Sequence, residues 1–301
     1  MSSVTSSPAL LEPLRDLGVA WMNRGHALLQ QGDPVSLDAS LGAYHEAIAI
    51  LRQLPVTENP SWANSLGAAL MNRGQLVHRL HGVAQATVAL GAFAEAEAIL
   101  RPLCGSELAR DTPSPWPRRN LTGTLVNRAN LLLDLADFTA AARTAREALA
   151  LVAPHEQTES VDADLALKAR RALCDALGRL IVIPEADQDA LAREASDLVD
   201  DALALIRDRA ARGETAFAPL HVRFFRYGAQ LYRLHQPHFL AEFIRENLPL
   251  ADTELRSIAR EAIDFALADR PAGFLTIGDP ATERRLEIWR ELADLRTRLA
   301  A

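Results

Sequence analysis

Apolar residues recur at every third or fourth position along most of this 301-residue chain, as they do in helices that bury one face. In the segment between Pro34 and Pro55 the apolar positions are Leu37, Leu41, Tyr44, Ala47, Ile48 and Leu51. Gly32 favours the end of one helix, and Asp33 followed by Pro34 favours the start of the next. The pattern therefore predicts a helix over about 10–31 and a second helix from Pro34 to about residue 54.

The same reasoning predicts an all-α fold for the whole chain. Further helices are expected over about residues 61–81, 83–103, 121–136, 138–152, 165–181, 189–211, 220–235, 239–248 and 253–268, with a last one after Pro280. Alanine and leucine supply most of the apolar surface and runs of β-branched residues are nearly absent, which also favours helices over strands.

The helices belong to a repeated segment. Residues 17–52 align without a gap to residues 66–101, and 16 of the 36 aligned residues are identical. The sequence Met-Asn-Arg-Gly at 22–25 occurs again at 71–74, and a looser third copy begins at Leu125. Such self-similarity is typical of proteins in which pairs of helices stack side by side.

Small residues occupy matching positions where the two helices of a pair must approach closely. They are Gly25, Gly74 and Ala129 on the first helices and Ala47, Ala96 and Ala141 on the second helices. A larger side chain at such a position would push the pair apart, at a cost of about 1–3 kcal/mol.

The third copy resembles the tetratricopeptide repeat (TPR) family. The sequence Asn-Arg-Ala-Asn at 127–130 lies where that family has the asparagine and the small residue of its first helix. The sequence Ala-Asp-Phe-Thr-Ala-Ala at 136–141 matches the family's turn into its second helix, and Pro154 matches the end of the repeat. The resemblance covers about 10–154 well and 160–250 weakly. It implies an α-solenoid of antiparallel helix pairs, a TPR-like superhelix.

We therefore expect three TPR-like helix pairs at 8–154, two diverged pairs at 155–250 and a C-terminal helical cap at 251–301. The apolar face of the last helix consists of Leu286, Trp289, Leu292, Leu295 and Leu299. This helix either caps the stack, which must end in a polar surface, or pairs with a second copy of the chain in a homodimer.

The resemblance also implies a function, which is to bind a protein or peptide segment in a concave groove as a non-enzymatic scaffold or adaptor. By that resemblance, the candidates for hydrogen bonds to a peptide are Asn23, Asn72 and Asn127. Further candidates are the residues three positions later on about the same helix face, which are His26, Gln75 and Asn130. The alternative function is homo-oligomeric assembly through the C-terminal helices.

An arginine follows each of these asparagines, and the three are Arg24, Arg73 and Arg128. An unpaired buried charge is very costly, so a buried arginine needs a partner. Glu46 and Glu95 stand at matching positions of the second helices, which suggests that the arginines of the first two copies pair with them. The third copy has Ala140 there, so its arginine needs another partner or faces solvent. In the other interpretation the arginines face the groove and bind an acidic ligand.

The charge and composition narrow the classes of partner. A formal net charge of -7 argues against nucleic acid, which needs a basic surface. Two cysteines are too few for a disulfide framework, and neither a secretory signal nor an apolar run of about 20 residues is present. We expect a cytoplasmic protein with a protein or peptide partner and with no nucleic-acid or membrane partner.

The sequence contains no catalytic or cofactor motif of known spacing, so we expect no catalytic residues and no cofactor. His78 and His81 are three residues apart, as are His235 and His238, but further ligands are missing nearby, so we expect no metal site. Aromatic residues concentrate within 217–243 between arginines. We expect them to form core, the alternatives being a partner-binding patch, a nucleic-acid platform or an enzyme pocket.

Overall fold

The computed structural model describes residues 8–105, 114–184, 186–236, 238–248, 252–268 and 280–300. Every regular element in these ranges is a helix, which confirms the predicted all-α class. The helices are α1 (Pro8–Gln31), α2 (Pro34–Leu51), α3 (Pro60–His81), α4 (Ala86–Gly105), α5 (Trp116–Asp134), α6 (Phe138–Val152), α7 (Ser160–Leu180), α8 (Gln188–Ala211), α9 (Ala218–His235), α10 (Leu240–Asn247), α11 (Thr253–Ala268) and α12 (Pro280–Ala300).

Most helix ends lie within a few residues of the predicted ones. Gly32 ends α1 with a φ of 77°, and the Asp33 side chain accepts hydrogen bonds from the backbone N–H groups of Val35 and Ser36 at the start of α2. Two predicted starts were wrong by five residues. Helix α5 begins at Trp116 rather than at 121, because Pro117 is tolerated in a first turn, and α7 begins at Ser160 rather than at 165.

By its internal contacts the chain divides into two compact units, residues 1–176 and 177–301. The division falls inside α7, whereas the sequence places its boundaries near 154 and 250. Those predicted boundaries stay predictions, and each unit is described by itself below.

In the first unit α1 packs on α2, α3 on α4 and α5 on α6, and α2 and α4 also contact the helix that follows them. The prediction that successive helices pair with their neighbours is therefore confirmed. The first two pairs repeat the same packing. The contacts are Leu51 on Gly18 and Tyr44 on Gly25 in the first pair, and Leu100 on Gly67 and Phe93 on Gly74 in the second. Each contact recurs 49 positions later, so the repeated sequence produces repeated packing.

In the second unit α9 contacts α8, α10 and α11. The ring centroids of Phe225 and Tyr232 lie 5.4 and 4.8 Å from that of Phe243, and all three rings are buried. The prediction that these aromatic residues form core is confirmed. Phe239 is an exception, since it is 44% exposed.

Helix α12 packs on α11 and α10 of the same unit. Its Leu292 and Leu299 are buried, and ion pairs of Arg245 with Glu291 and of Arg296 with Asp264 connect it to those two helices. Part of the predicted apolar face is thus used within the chain. The alternative, that a second copy of the chain packs on the rest of this face in a homodimer, stays a prediction.

One helical stretch within Pro60–Cys104 is long and apolar enough, by length and composition, to cross a bilayer. Of its apolar window 33% is buried inside the molecule. A core helix of a soluble protein passes the same test, so this finding alone is a weak indication of a membrane span. The predicted absence of a membrane partner and the cytoplasmic location stay predictions.

Candidate functional site

Helices α3 and α5, which carry two sets of the predicted groove residues, lie side by side and run in the same direction. The Asn120 side-chain amide donates a hydrogen bond to Asn64 Oδ1 at 2.9 Å, and His78 Nε2 lies 2.7 Å from Asp134 Oδ2. Both contacts join residues 56 positions apart, one near the start of the helices and one near their end. Helix spacing then places the polar residues between them on one shared surface.

We call this surface the amide face, and its residues are Asn64, Asn72, Gln75, Asn120, Asn127 and Asn130. Gln75 is exposed, and Asn72, Asn127 and Asn130 are half-buried. In the part of the chain that the structure describes, the side chains of Asn72, Gln75 and Asn127 make no hydrogen bond to protein. Their donors and acceptors are therefore free for a ligand.

The first copy contributes less clearly to this surface. Asn23 and His26 are exposed on α1, as a ligand-binding role requires. His26 Nε2 lies 3.4 Å from the Gln30 side-chain nitrogen one turn later on the same helix. Within the described ranges no hydrogen bond joins Asn23 or His26 to the amide face.

Two residues of the amide face, Asn64 and Asn120, were not among the groove residues predicted from the sequence. Asn64 and Asn120 do not follow the Asn-Arg pattern, so the repeat comparison does not select them. Helix spacing could have identified them, because Asn120 lies seven residues before Asn127 and Asn64 lies eight residues before Asn72. Both spacings bring the residues to the same side of a helix.

The three candidate arginines have different surroundings. The Arg24 guanidinium lies 4.9 Å from the centre of the Trp21 ring, in a cation–π contact. Arg128 Nη1 lies 2.9 Å from Glu97 Oε1, so the arginine of the third copy has a partner other than the glutamate of its own copy. Arg73 is half-buried beside His45, where burial and the Arg73 charge both lower the histidine pKa.

The predicted pairing of arginines with the glutamate of their own copy is wrong. Glu95 pairs with Arg52 at 2.7 Å rather than with Arg73, and no Arg24–Glu46 ion pair occurs within the described residues. Arg101, the repeat equivalent of Arg52, pairs in the same way with Glu147. The ion pairs therefore connect the second helices of successive copies, because an arginine at the end of one helix reaches the next pair rather than its own.

A buried ion pair holds α7 against α5. The Arg119 guanidinium donates two hydrogen bonds to Asp162, at 3.1 and 2.6 Å, and Arg118 lies 3.0 Å from the same carboxylate. Burial acts to raise the Asp162 pKa, but the hydrogen bonds from the two arginines outweigh it and leave the pKa lowered. On the same helix Arg171 donates to Asn130 Oδ1 at 3.4 Å, which brings a positive charge to the edge of the amide face.

Among the described residues no three His, Cys, Asp or Glu side chains are grouped to hold a metal ion. His78 faces Asp134 on the neighbouring helix. The amide face thus offers uncharged donors and acceptors in rows, with the His78–Asp134 contact and the Arg171 guanidinium at its edges. No protein-family model matches the chain, and no curated protein matches it in sequence.

Proposed function

We propose that this protein is a TPR-like helical repeat protein that binds an extended segment of a partner protein along the amide face. The proposal includes a solenoid arrangement of the helix pairs, with the first helix of each pair lining a concave surface. The observation that carries it is the row of amides on α3 and α5, of which Asn72, Gln75 and Asn127 have no partner among the described residues.

An extended peptide presents a backbone donor and a backbone acceptor at each residue, and these groups need partners once water is removed. A side-chain amide offers both a donor and an acceptor, so it can satisfy a peptide group of either orientation. Amides on two parallel helices follow the length of such a ligand. Their chemistry therefore fits the main chain of a peptide better than a particular side chain.

Amide side chains supply hydrogen bonds but no acid, base or nucleophile. This composition supports a binding function over catalysis.

The proposal is tested by selecting peptides from a random displayed library on the full chain and measuring their affinities by fluorescence anisotropy. We expect a double variant, Asn72→Ala with Asn127→Ala, to bind the selected peptides about tenfold more weakly or worse, since each lost hydrogen bond is worth about 0.5–1.5 kcal/mol. The matched control is Gln53→Ala, which removes an exposed amide just after α2, a helix that carries no residue of the amide face. We expect this control to bind like the wild type.

A pull-down from a lysate with the wild type, the double variant and the control variant identifies the natural partner. The proposal fails if the library yields no peptide that binds saturably. It also fails if the double variant retains wild-type affinity while its circular dichroism and melting temperature match those of the wild type.

A further inference from the structure

The second unit contains a cavity of about 660 Å³ lined by residues of α8, α9 and α10 and of the turn before α10. This volume lies in the range of small-molecule sites, which is about 300–1,000 Å³. The cavity shares no residue with the amide face, so an inference about it does not depend on the function proposed above.

Aromatic rings form one part of the cavity wall. Tyr232 and Phe243 are buried and in contact, and Phe239, which also lines the cavity, is 44% exposed. The exposed ring of Phe239 faces a cavity instead of filling the core. Aromatic faces attract cations through the negative charge of the ring face.

The rest of the lining is predominantly acidic. Its carboxylates belong to Asp189, Asp197, Asp200, Glu242 and Glu246. The basic residues of the lining are Arg193, His235 and His238. Arg193 directs its Nε to the backbone oxygen of Asp189 at 3.2 Å. Within the described residues no arginine, lysine or histidine side chain forms an ion pair with any of the five carboxylates, so the lining has an excess of negative charge.

The carboxylates also act on one another. Burial raises the pKa of Asp200, a hydrogen bond of 2.7 Å from the Tyr232 hydroxyl opposes that rise, and the charges of Asp197 and Glu246 add to it. Like charges therefore lie close enough to repel one another, and a bound cation would relieve this repulsion.

We infer that this cavity binds an organic cation with several amino or guanidino groups on an aliphatic chain. Asp189 and Asp200 are eleven residues apart on α8, a distance of about 16 Å along a helix, which suits a flexible chain with charges at intervals. The charged groups lie against the carboxylates, and the aliphatic segments lie against the rings. The same chemistry occurs in a free polyamine and in the lysine side chains of a basic peptide.

The test is isothermal titration calorimetry of the full chain with spermidine and, in a second arm, with a capped trilysine peptide. We expect saturable binding that weakens as salt is added, because salt screens charges at an open site. The double variant Asp197→Asn with Glu246→Gln should bind about tenfold more weakly or worse, since hydrogen bonds to charged groups exceed neutral ones in strength.

Two matched controls distinguish binding in the cavity from binding to exposed carboxylates or exposed aromatic rings elsewhere on the protein. Asp38→Asn with Glu58→Gln removes the same charge from exposed positions in the first unit and should leave binding unchanged. Phe239→Ala should weaken binding several-fold, whereas Phe265→Ala, which removes a ring that is 42% exposed outside the cavity, should not.

Spermidine binding that depends on the cavity residues assigns the site to a free polyamine. Binding of trilysine alone, with the same dependence, assigns it to a basic protein segment. The inference is overturned if neither probe binds saturably at low salt. It is also overturned if the exposed-charge control weakens binding as much as the cavity variant does.

Discussion

The Tyr44 ring covers Gly25 so closely that a β-carbon on the glycine would lie 3.0 Å from Tyr44 Cε1. The repeat equivalents, Phe93 and Gly74, are closer still, with a corresponding distance of 2.6 Å. Both rings are fully buried. The absence of a side chain on the first helix therefore determines how near the second helix can lie.

Alanine at Gly74 should lower the free energy of unfolding by about 1–3 kcal/mol, because the Phe93 ring cannot move aside in a packed interior. The loss at Gly25 should be smaller, since the Tyr44 ring needs to shift only slightly. Urea unfolding of each variant measures the change.

Matched controls are Gly42→Ala and Gly91→Ala, at helical positions with nothing within 4 Å of the added carbon. Alanine there should raise the free energy of unfolding by up to about 1 kcal/mol through helix propensity. Equal effects at all four glycines would contradict the packing argument.

The Tyr44 hydroxyl is buried, and no described residue forms a hydrogen bond with it. Tyr44→Phe should therefore leave stability unchanged or raise it, while Phe93→Tyr should lower it by about 1–3 kcal/mol by burying a hydroxyl without a partner. Thermal unfolding of the two variants tests this contrast. A clear loss of stability in Tyr44→Phe would reveal a partner for the hydroxyl.

Burial raises the pKa of Tyr44 to about 12. An unfolded tyrosine ionises near pH 10, so the folded state holds the proton more tightly, and stability falls as the pH rises from about 10 to about 12. We expect Tyr44→Phe to lose less stability than the wild type over this interval. Parallel unfolding curves at pH 9 and pH 11 make the comparison.

Asp162→Asn should destabilise the protein by about 3–5 kcal/mol, because it leaves the buried Arg119 guanidinium without its main anionic partner. The control Asp164→Asn breaks an exposed pair with Lys168 and should cost less than about 1 kcal/mol. Chemical unfolding at pH 7 provides both values. Similar losses in the two variants would argue against a special role for the buried pair.

The lowered Asp162 pKa adds a pH signature. The carboxylate contributes stability above its ordinary value of 3.8, and that contribution is lost as the pH falls through the lower value of the folded state. Between pH 5 and pH 2 the wild type should lose more stability than Asp162→Asn. If the free energy of unfolding fell equally with pH in the two proteins, this assignment would be contradicted.

Two ion pairs of the first unit differ in burial and should differ in strength. The Glu97 side chain, which pairs with Arg128, is 11% exposed, whereas that of Glu95, which pairs with Arg52, is 40% exposed. Double-mutant cycles with alanine should give a coupling free energy of less than about 1 kcal/mol for the exposed Arg52–Glu95 pair and a larger one for the Arg128–Glu97 pair. The reverse order would show that burial does not govern these couplings.

The sequence by itself determined the helices and their pairing. Apolar spacing located them, Asp33 and Gly32 marked their ends, and the recurrence of Gly25 as Gly74 predicted close contacts that the structure contains. These signals are local or repeat at a constant interval, so they do not depend on knowing which helices meet.

Only the tertiary structure decided which side chains meet across that repeat. Asn64 and Asn120 lie far apart in sequence, and Glu95 pairs with Arg52 of the preceding copy rather than with Arg73. The cavity around Asp200 likewise needs three helices, none of which carries a motif. Such contacts depend on the distance and rotation between helices, which follow from the packing of many side chains at once.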